Sequence, residues 1–134
     1  MATWKANDIV QALDLIATGA DLCATGISID TRTLKQGDIY IAIKGEKLDG
    51  HDFVKEAFTK GASAVVVNSL SSDLEGKSFF LVDDTLNALI SFGAYARSQT
   101  TAKVIGITGS VGKTTAKEWL AHVLASFGKT IFSK

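Results

Sequence analysis

The chain has 134 residues, enough for one ordinary domain or two small ones, and its 46% hydrophobic content excludes a disordered polymer. Lys and Arg number 14 and Asp and Glu 14, so no field of one sign draws the chain to nucleic acid or to a membrane surface. The single cysteine, Cys23, excludes an internal disulfide framework and a cysteine-based zinc site, and a lone thiol fits a reducing, cytosolic setting.

Asn7 is placed to cap a helix running to about residue 17, with Ile9, Val10, Leu13 and Ile16 at helical spacing and Gly19 just past its end. Trp4 is expected to cover one end of that helix. Strands are predicted at 27–30 and 38–43, the second entered from the turn Lys35-Gln36-Gly37. A polar loop at 45–50 leads into a helix over 51–60, which carries Phe53, Val54, Ala57 and Phe58 on one side and stops at Gly61. Strands follow at 63–67 and 78–82, separated by an aperiodic polar stretch. The apolar runs here are far shorter than the roughly 20 residues that span a bilayer. Met1-Ala2-Thr3-Trp4-Lys5 lacks the order of a signal peptide. Proline is absent, so turns rest on Gly, Asn, Asp and Ser.

Asp83-Asp84-Thr85 offers caps for a helix over 86–97. A strand at 103–108, a tight turn at 109–112, a helix at 113–127 and a strand from 129 to 133 form a βαβ unit. Trp119, Leu120, Val123, Leu124 and Phe127 share the apolar face of that helix and read as core. The fold class is α/β, with a domain boundary near 83–85. Cys23 reads as a small core or loop residue, and His122 as solvated or at a boundary.

The strongest chemical signal is Thr108-Gly109-Ser110-Val111-Gly112-Lys113-Thr114-Thr115, between a strand and an amphipathic helix. Gly109 and Gly112 let the backbone curl so that successive N–H groups point inward. The helix dipole adds only about 0.3–1 kcal/mol, so Lys113 supplies the charge that selects polyphosphate. Thr114 places a hydroxyl where it can ligate a phosphate-bound Mg²⁺. Ile107 stands where the full Walker pattern has its first glycine, so the motif is the shorter Gly-x-x-Gly-Lys-Thr. The spacing of Gly106, Gly109 and Gly112 does not fit a dinucleotide fingerprint. The bland alternative is a glycine-bearing turn with a surface lysine.

This segment resembles the ATP loop of the Mur ligases of peptidoglycan synthesis, and the block before it resembles their N-terminal UDP-binding domain. The block stands here as Asp30-Thr31-Arg32, Gln36-Gly37-Asp38, a strand, Gly45, Asp49-Gly50-His51-Asp52-Phe53 and Gly61-Ala62-Ser63-Ala64. The family has Ser at the position of Thr31, which keeps the hydroxyl. It has Pro at the position of Gln36, which loosens a turn and removes no chemistry. Lys117-Glu118 and the Ser110-Val111 filling of the loop resemble the MurF branch, which adds D-alanyl-D-alanine. The MurE branch, which adds the third peptide residue, usually carries Thr-Asn in that loop.

The resemblance implies a small N-terminal α/β UDP-binding domain over residues 1–83, followed by the start of a P-loop-type ATPase domain over 84–134. It implies that UDP sits against Ile29, Thr31, Glu46, Lys47 and Leu48. Gly109, Ser110, Val111, Gly112, Lys113, Thr114 and Thr115 would bind ATP, with Lys113 catalytic and Thr114 on Mg²⁺. The implied substrates are UDP-N-acetylmuramoyl-tripeptide and D-alanyl-D-alanine, joined in the cytoplasm through an acyl phosphate. Neither nucleic acid nor membrane insertion is implied, and nothing sets an oligomeric state. Further metal ligands and a closing domain are implied beyond Lys134, so the chain alone is expected not to catalyse ligation. A MurE-type ligase and a nucleotide-binding module without ligase activity stay open as alternatives.

Read from the residues alone, Asp30-Thr31-Arg32 is either a ligand site at a strand end or an Asx turn with Arg32 paired to a carboxylate. Asp49-Gly50-His51-Asp52 reads as a turn and helix cap, with His51 structural or solvated.

Overall fold

The computed structural model describes residues 4–15 and 22–133, which fall into two units, residues 1–100 and 101–134. In the first unit, β1 (Trp4–Lys5) leads into α1 (Ala6–Leu13), and β2 (Cys23–Ala24) pairs antiparallel with β1. There follow β3 (Ile27–Ser28), β4 (Ile39–Ile41), α2 (Val54–Thr59), β5 (Ala64–Val67), β6 (Phe79–Leu81) and α3 (Thr85–Ser98). Short 3₁₀ turns at Gly50–Phe53 and Ser72–Leu74 precede α2 and β6.

Strands β3, β4, β5 and β6 form one parallel sheet in chain order, with Ile27 opposite Ile39, Ile39 opposite Ala64 and Val65 opposite Phe79. Parallel sheets are covered on both faces, so their central strands are apolar throughout rather than alternating. Successive side chains then serve opposite cores. Ile39, Ile41, Ala64, Val66 and Phe80 pack with Ile9 of α1 and with Ala88 and Phe92 of α3. Tyr40, Ala42, Val65 and Val67 pack with Val54 and Ala57 of α2 and with Leu74. The four strands predicted for this region are all present, each trimmed at its ends where the ladder gives out.

Helix α1 starts at Ala6, one residue ahead of Asn7, and the Asp8 carboxylate accepts from the Lys5 N–H at 2.9 Å. It stops at Leu13, where Asp14 adopts a left-handed φ of 52°, rather than near residue 17. Ile16 and Gly19 lie outside the described residues. Asp84 caps α3 as expected, accepting from the N–H groups of Leu86 and Asn87 at 2.8 and 3.0 Å. The Trp4 ring meets Phe92 edge-on at 5.2 Å, and the Tyr95 hydroxyl donates to Asp8 at 2.9 Å, so α3 is fastened to α1. Residues 83–85 therefore mark the start of a helix of the first unit, and the compact units part after Thr100. Cys23 is exposed because its neighbour Ala24 takes the buried side of β2.

The second unit contains α4 (Lys113–Ala125). Segments 103–108 and 129–133, predicted as strands, join no ladder among the described residues. A strand is defined by bonds to a neighbour, and apolar spacing cannot supply one. Trp119, Val123 and Phe127, expected in a core, are exposed for the same reason: no sheet lies against them among the described residues.

One glycine fixes the route from β4 to α2. The Gly50 N–H donates to the Ile43 carbonyl at 2.9 Å, and the Gly50 carbonyl accepts the buried Tyr40 hydroxyl at 3.0 Å. A Cβ at Gly50 would lie 2.6–2.9 Å from backbone atoms of Ile43 and Ala42. Backbone cannot swing aside as a side chain can. Gly50→Ala is expected to lower the unfolding free energy by about 1–3 kcal/mol; an unchanged urea midpoint with an unchanged slope would contradict this.

Candidate functional site

An open cleft of about 490 Å³ lies at the carboxyl ends of β3 and β4. The chain leaving β3 contributes Ile29, Asp30, Thr31 and Arg32. Tyr40 rises from β4, Leu48 and Gly50 come from the turn that follows, and Phe53 and Glu56 come from the start of the helical segment. Ligands of open α/β sheets enter at this end of the strands.

Local hydrogen bonding shapes the first wall. The Asp30 carboxylate accepts from the Arg32 N–H at 2.9 Å and from its guanidinium at 2.6 and 3.0 Å. The turn-and-ion-pair reading of Asp30-Thr31-Arg32 is thus what the residues build, within the cleft wall. The Arg32 side chain, then its backbone N–H, holds the Asp30 carboxyl down at about 2, and Asp30 raises the guanidinium in return. The Ser28 hydroxyl donates to the Asp30 carbonyl at 2.9 Å. Thr31 is buried, and its carbonyl accepts the Lys60 ammonium at 2.8 Å. Lys60 also pairs with Glu56 at 2.7 Å, one turn back on α2. Lys60 first, and the Thr31 hydroxyl second, keep the Glu56 carboxyl below its ordinary range. Burial is the main cause that pushes the Tyr40 hydroxyl up to about 12, so it stays a neutral donor to Gly50.

The second wall comes from the turn after β4. The Gly45 N–H donates to the Leu48 carbonyl at 2.9 Å, and Glu46, Lys47 and Leu48 are exposed on this turn. Of the five residues expected around UDP, Ile29, Thr31 and Leu48 line the cleft, whereas Glu46 and Lys47 do not. Tyr40, Phe53 and Glu56 are lining residues that sequence reading passed over. Phe53 and Tyr40 fit helix and strand patterns as core residues, and Glu56 sits on the polar side of α2. The one available signal was a tyrosine inside an apolar strand, whose hydroxyl must find a partner when buried.

His51 is structural. Asp49 accepts from its backbone N–H at 3.0 Å and from ring Nδ1 at 2.6 Å, while Nε2 accepts the Asn68 N–H at 3.2 Å. An accepting Nε2 assigns the proton to Nδ1. The ring therefore ties the turn before α2 to the residue after β5. The Asp49 carboxyl is lowered mainly by the His51 N–H.

The phosphate-type loop belongs to the second unit. Gly109 and Gly112 have φ of 152° and 75°, conformations that glycine adopts without strain. Gly112 is the N-cap of α4, and Ala116 N–H to Gly112 carbonyl, at 2.9 Å, is its first helical bond. The amides of Lys113, Thr114 and Thr115 precede that bond, no side chain caps them, and no acidic residue occupies the first turn. Lys113 reaches back to donate from Nζ to the Gly109 carbonyl, which lays its ammonium over the loop. Residues 109–115 are all exposed. Donors and one cation without a local carboxylate fit a polyphosphate, and Thr114 follows Lys113 with its hydroxyl at the helix start.

Residues 24–127 match the Mur ligase family, catalytic domain, a span that includes both the cleft and the loop. The chain belongs to the Mur ligase family. The UDP-N-acetylmuramoyl-tripeptide–D-alanyl-D-alanine ligase of Synechocystis sp. is 47% identical over 109 residues, covering 81% of this chain and 24% of that protein. MurF from Acinetobacter baumannii superposes with a TM-score of 0.79 at 33% identity, over 94% of this chain and 28% of that one. MurF ligase from Thermotoga maritima, solved in complex with ADP, gives 0.65 at 31% identity, over 77% and 24%. This Mur ligase chain spans about a quarter of the length of these relatives.

The Asp30–Arg32 pair makes a pH prediction. Because the Asp30 carboxyl is depressed from 3.8 to about 2, the stabilisation it provides is present above 3.8 and is lost as pH falls through about 2. Carboxyl-carbon NMR should place its midpoint near 2, and Arg32→Ala should return it toward 3.8. A midpoint that ignores Arg32→Ala would refute the pairing.

Proposed function

We propose that this chain is the N-terminal part of a MurF-type ligase, which joins D-alanyl-D-alanine to UDP-N-acetylmuramoyl-tripeptide in peptidoglycan synthesis. The observation that carries the reading is the pairing, in one Mur ligase chain, of a nucleoside-sized cleft at strand carboxyl ends with a Gly-x-x-Gly-Lys-Thr turn. Residues 1–83 hold the UDP substrate, and residues 84–134 open the ATP-binding domain, entered through α3, which packs on the first unit as the connecting helix. Ile29, Thr31 and Leu48 contact UDP in the cleft. Glu46 and Lys47, on the exposed turn beside Leu48, contact the substrate where it leaves the cleft.

Gly109, Ser110, Val111, Gly112, Lys113, Thr114 and Thr115 cradle the phosphates of ATP with backbone donors. Lys113 is the catalytic cation: its ammonium exchanges the Gly109 carbonyl for phosphate oxygens and neutralises charge on the transferring group. Thr114 would hold Mg²⁺ through its hydroxyl. ATP, as a substrate, would give its γ-phosphoryl group to the substrate carboxylate and leave as ADP; the D-alanyl-D-alanine amine would then displace phosphate from the acyl phosphate to form the amide, and Mg²⁺ would share the phosphate charge. Backbone donors at a helix start are fixed before the reaction, so they need no reorganisation as charge moves. No helix among the described residues is long and apolar enough to cross a membrane. Nucleotide substrates accord with a cytoplasmic enzyme.

Lys113→Ala in the full-length ligase is expected to weaken ATP binding by about 1.5–3 kcal/mol, the worth of charge-assisted hydrogen bonds. Calorimetric titration reads this directly. Undiminished ATP affinity in the folded variant would overturn the role of Lys113.

A further inference from the structure

Two carboxylates face the cleft, and they are not equivalent. Asp30 is saturated, since the Arg32 N–H, Nε and Nη2 all converge on it at 2.6–3.0 Å. Glu56 is engaged by Lys60 through Oε1 at 2.7 Å and by the Thr31 hydroxyl, yet 43% of its side chain stays exposed. Lys60 also donates to the Thr31 carbonyl at 2.8 Å, so one ammonium ties α2 to the opposite wall and fixes where the Glu56 carboxylate stands. An ionised carboxylate can only accept hydrogen bonds.

A nucleoside diphosphate offers three kinds of group to such an acceptor. Its phosphates carry charge of the same sign and no donors, so they lie away from Glu56. Its uracil offers one N–H between two carbonyls, whose lone pairs would oppose the carboxylate oxygens on either side. Its ribose offers two adjacent hydroxyls, both donors, and a carboxylate has two oxygens to receive them. Ile29, Leu48 and Phe53 leave the base apolar surface instead. Resting on the UDP reading of this cleft, we propose that Glu56 accepts the ribose hydroxyls. It makes the site selective for ribonucleotides over 2′-deoxyribonucleotides, and Lys60 is its positioning residue.

The test is calorimetric titration of the 134-residue chain with UDP, 2′-deoxy-UDP and CDP. The unaltered chain should bind UDP about tenfold more tightly than 2′-deoxy-UDP. Glu56→Ala should bring UDP down to the level of 2′-deoxy-UDP and leave the ratio of UDP to CDP unchanged. Lys60→Ala, which spares the carboxylate but releases it from its position, should narrow the ribose preference without abolishing it. A preference that survives Glu56→Ala overturns the inference. So does its loss in both variants alike, which would assign the effect to the helix, and so does a change confined to the UDP-to-CDP ratio, which would assign Glu56 to the base. Failure of the unaltered chain to bind UDP at all removes the cleft reading itself, a result distinct from these.

Discussion

Parallel pairing of β3 to β6 imposes burial on both faces of the sheet, and the rest of the first unit is arranged to meet that demand. Alternate residues of β4 and β5 send Ile39, Ile41, Ala64 and Val66 to one side and Tyr40, Ala42, Val65 and Val67 to the other. Neither set can be left in water: each fully buried aliphatic side chain is worth about 1.5–3 kcal/mol. Helices α1 and α3 cover the first set and α2 covers the second. With both faces closed, the strand ends are where the sheet meets solvent, and the cleft sits at the carboxyl ends. The site's position follows from the covering of the core.

Attachment of α2 then decides the shape of the cleft. Three contacts hold it: the backbone approach of Gly50 to Ile43, the bridge from Asp49 through His51 to Asn68, and the Lys60 bond to the Thr31 carbonyl. Each joins α2 or the turn before it to a different strand or strand exit, β4, β5 and β3 respectively. A helix held at three separated points cannot rotate about one of them. The side chains it lends to the cleft, Phe53 and Glu56, therefore keep fixed positions against the wall from β3.

How far these features could be read from sequence depends on how local their causes are. The strands around Ile39–Ile41 and Ala64–Val67 were legible because double burial writes a continuous apolar run into the chain. The Asp84 cap was legible because it acts over two and three residues. The glycine-lysine-threonine turn was legible because its geometry is set by its own residues. Pairing of 103–108 was not, since the same Val104, Ile105 and Ile107 pattern has no ladder among the described residues. The packing of α3 was not legible either, because its Phe92 meets Trp4 and its Tyr95 meets Asp8, 87 positions away. Glu56 was hidden for the opposite reason: on a polar helix face a carboxylate is ordinary, and only the cleft gives it meaning.

Zero net charge conceals two different electrostatic solutions. In the cleft, opposite charges are matched at contact distance, Asp30 with Arg32 and Glu56 with Lys60, so the site presents oriented groups with little net field. That suits a ligand portion whose recognition is by hydrogen-bond direction, such as a nucleoside. In the loop, Lys113 is held by a carbonyl, and the first turn of α4 contains no acidic residue. The ammonium there has surrendered no charge to a partner, and the helix amides add to it. That suits a polyanion, where excess positive charge counts for more than direction. A chain neutral as a whole can hold both because each balance is struck within a few residues, well inside the roughly 8 Å over which physiological salt screens exposed charge.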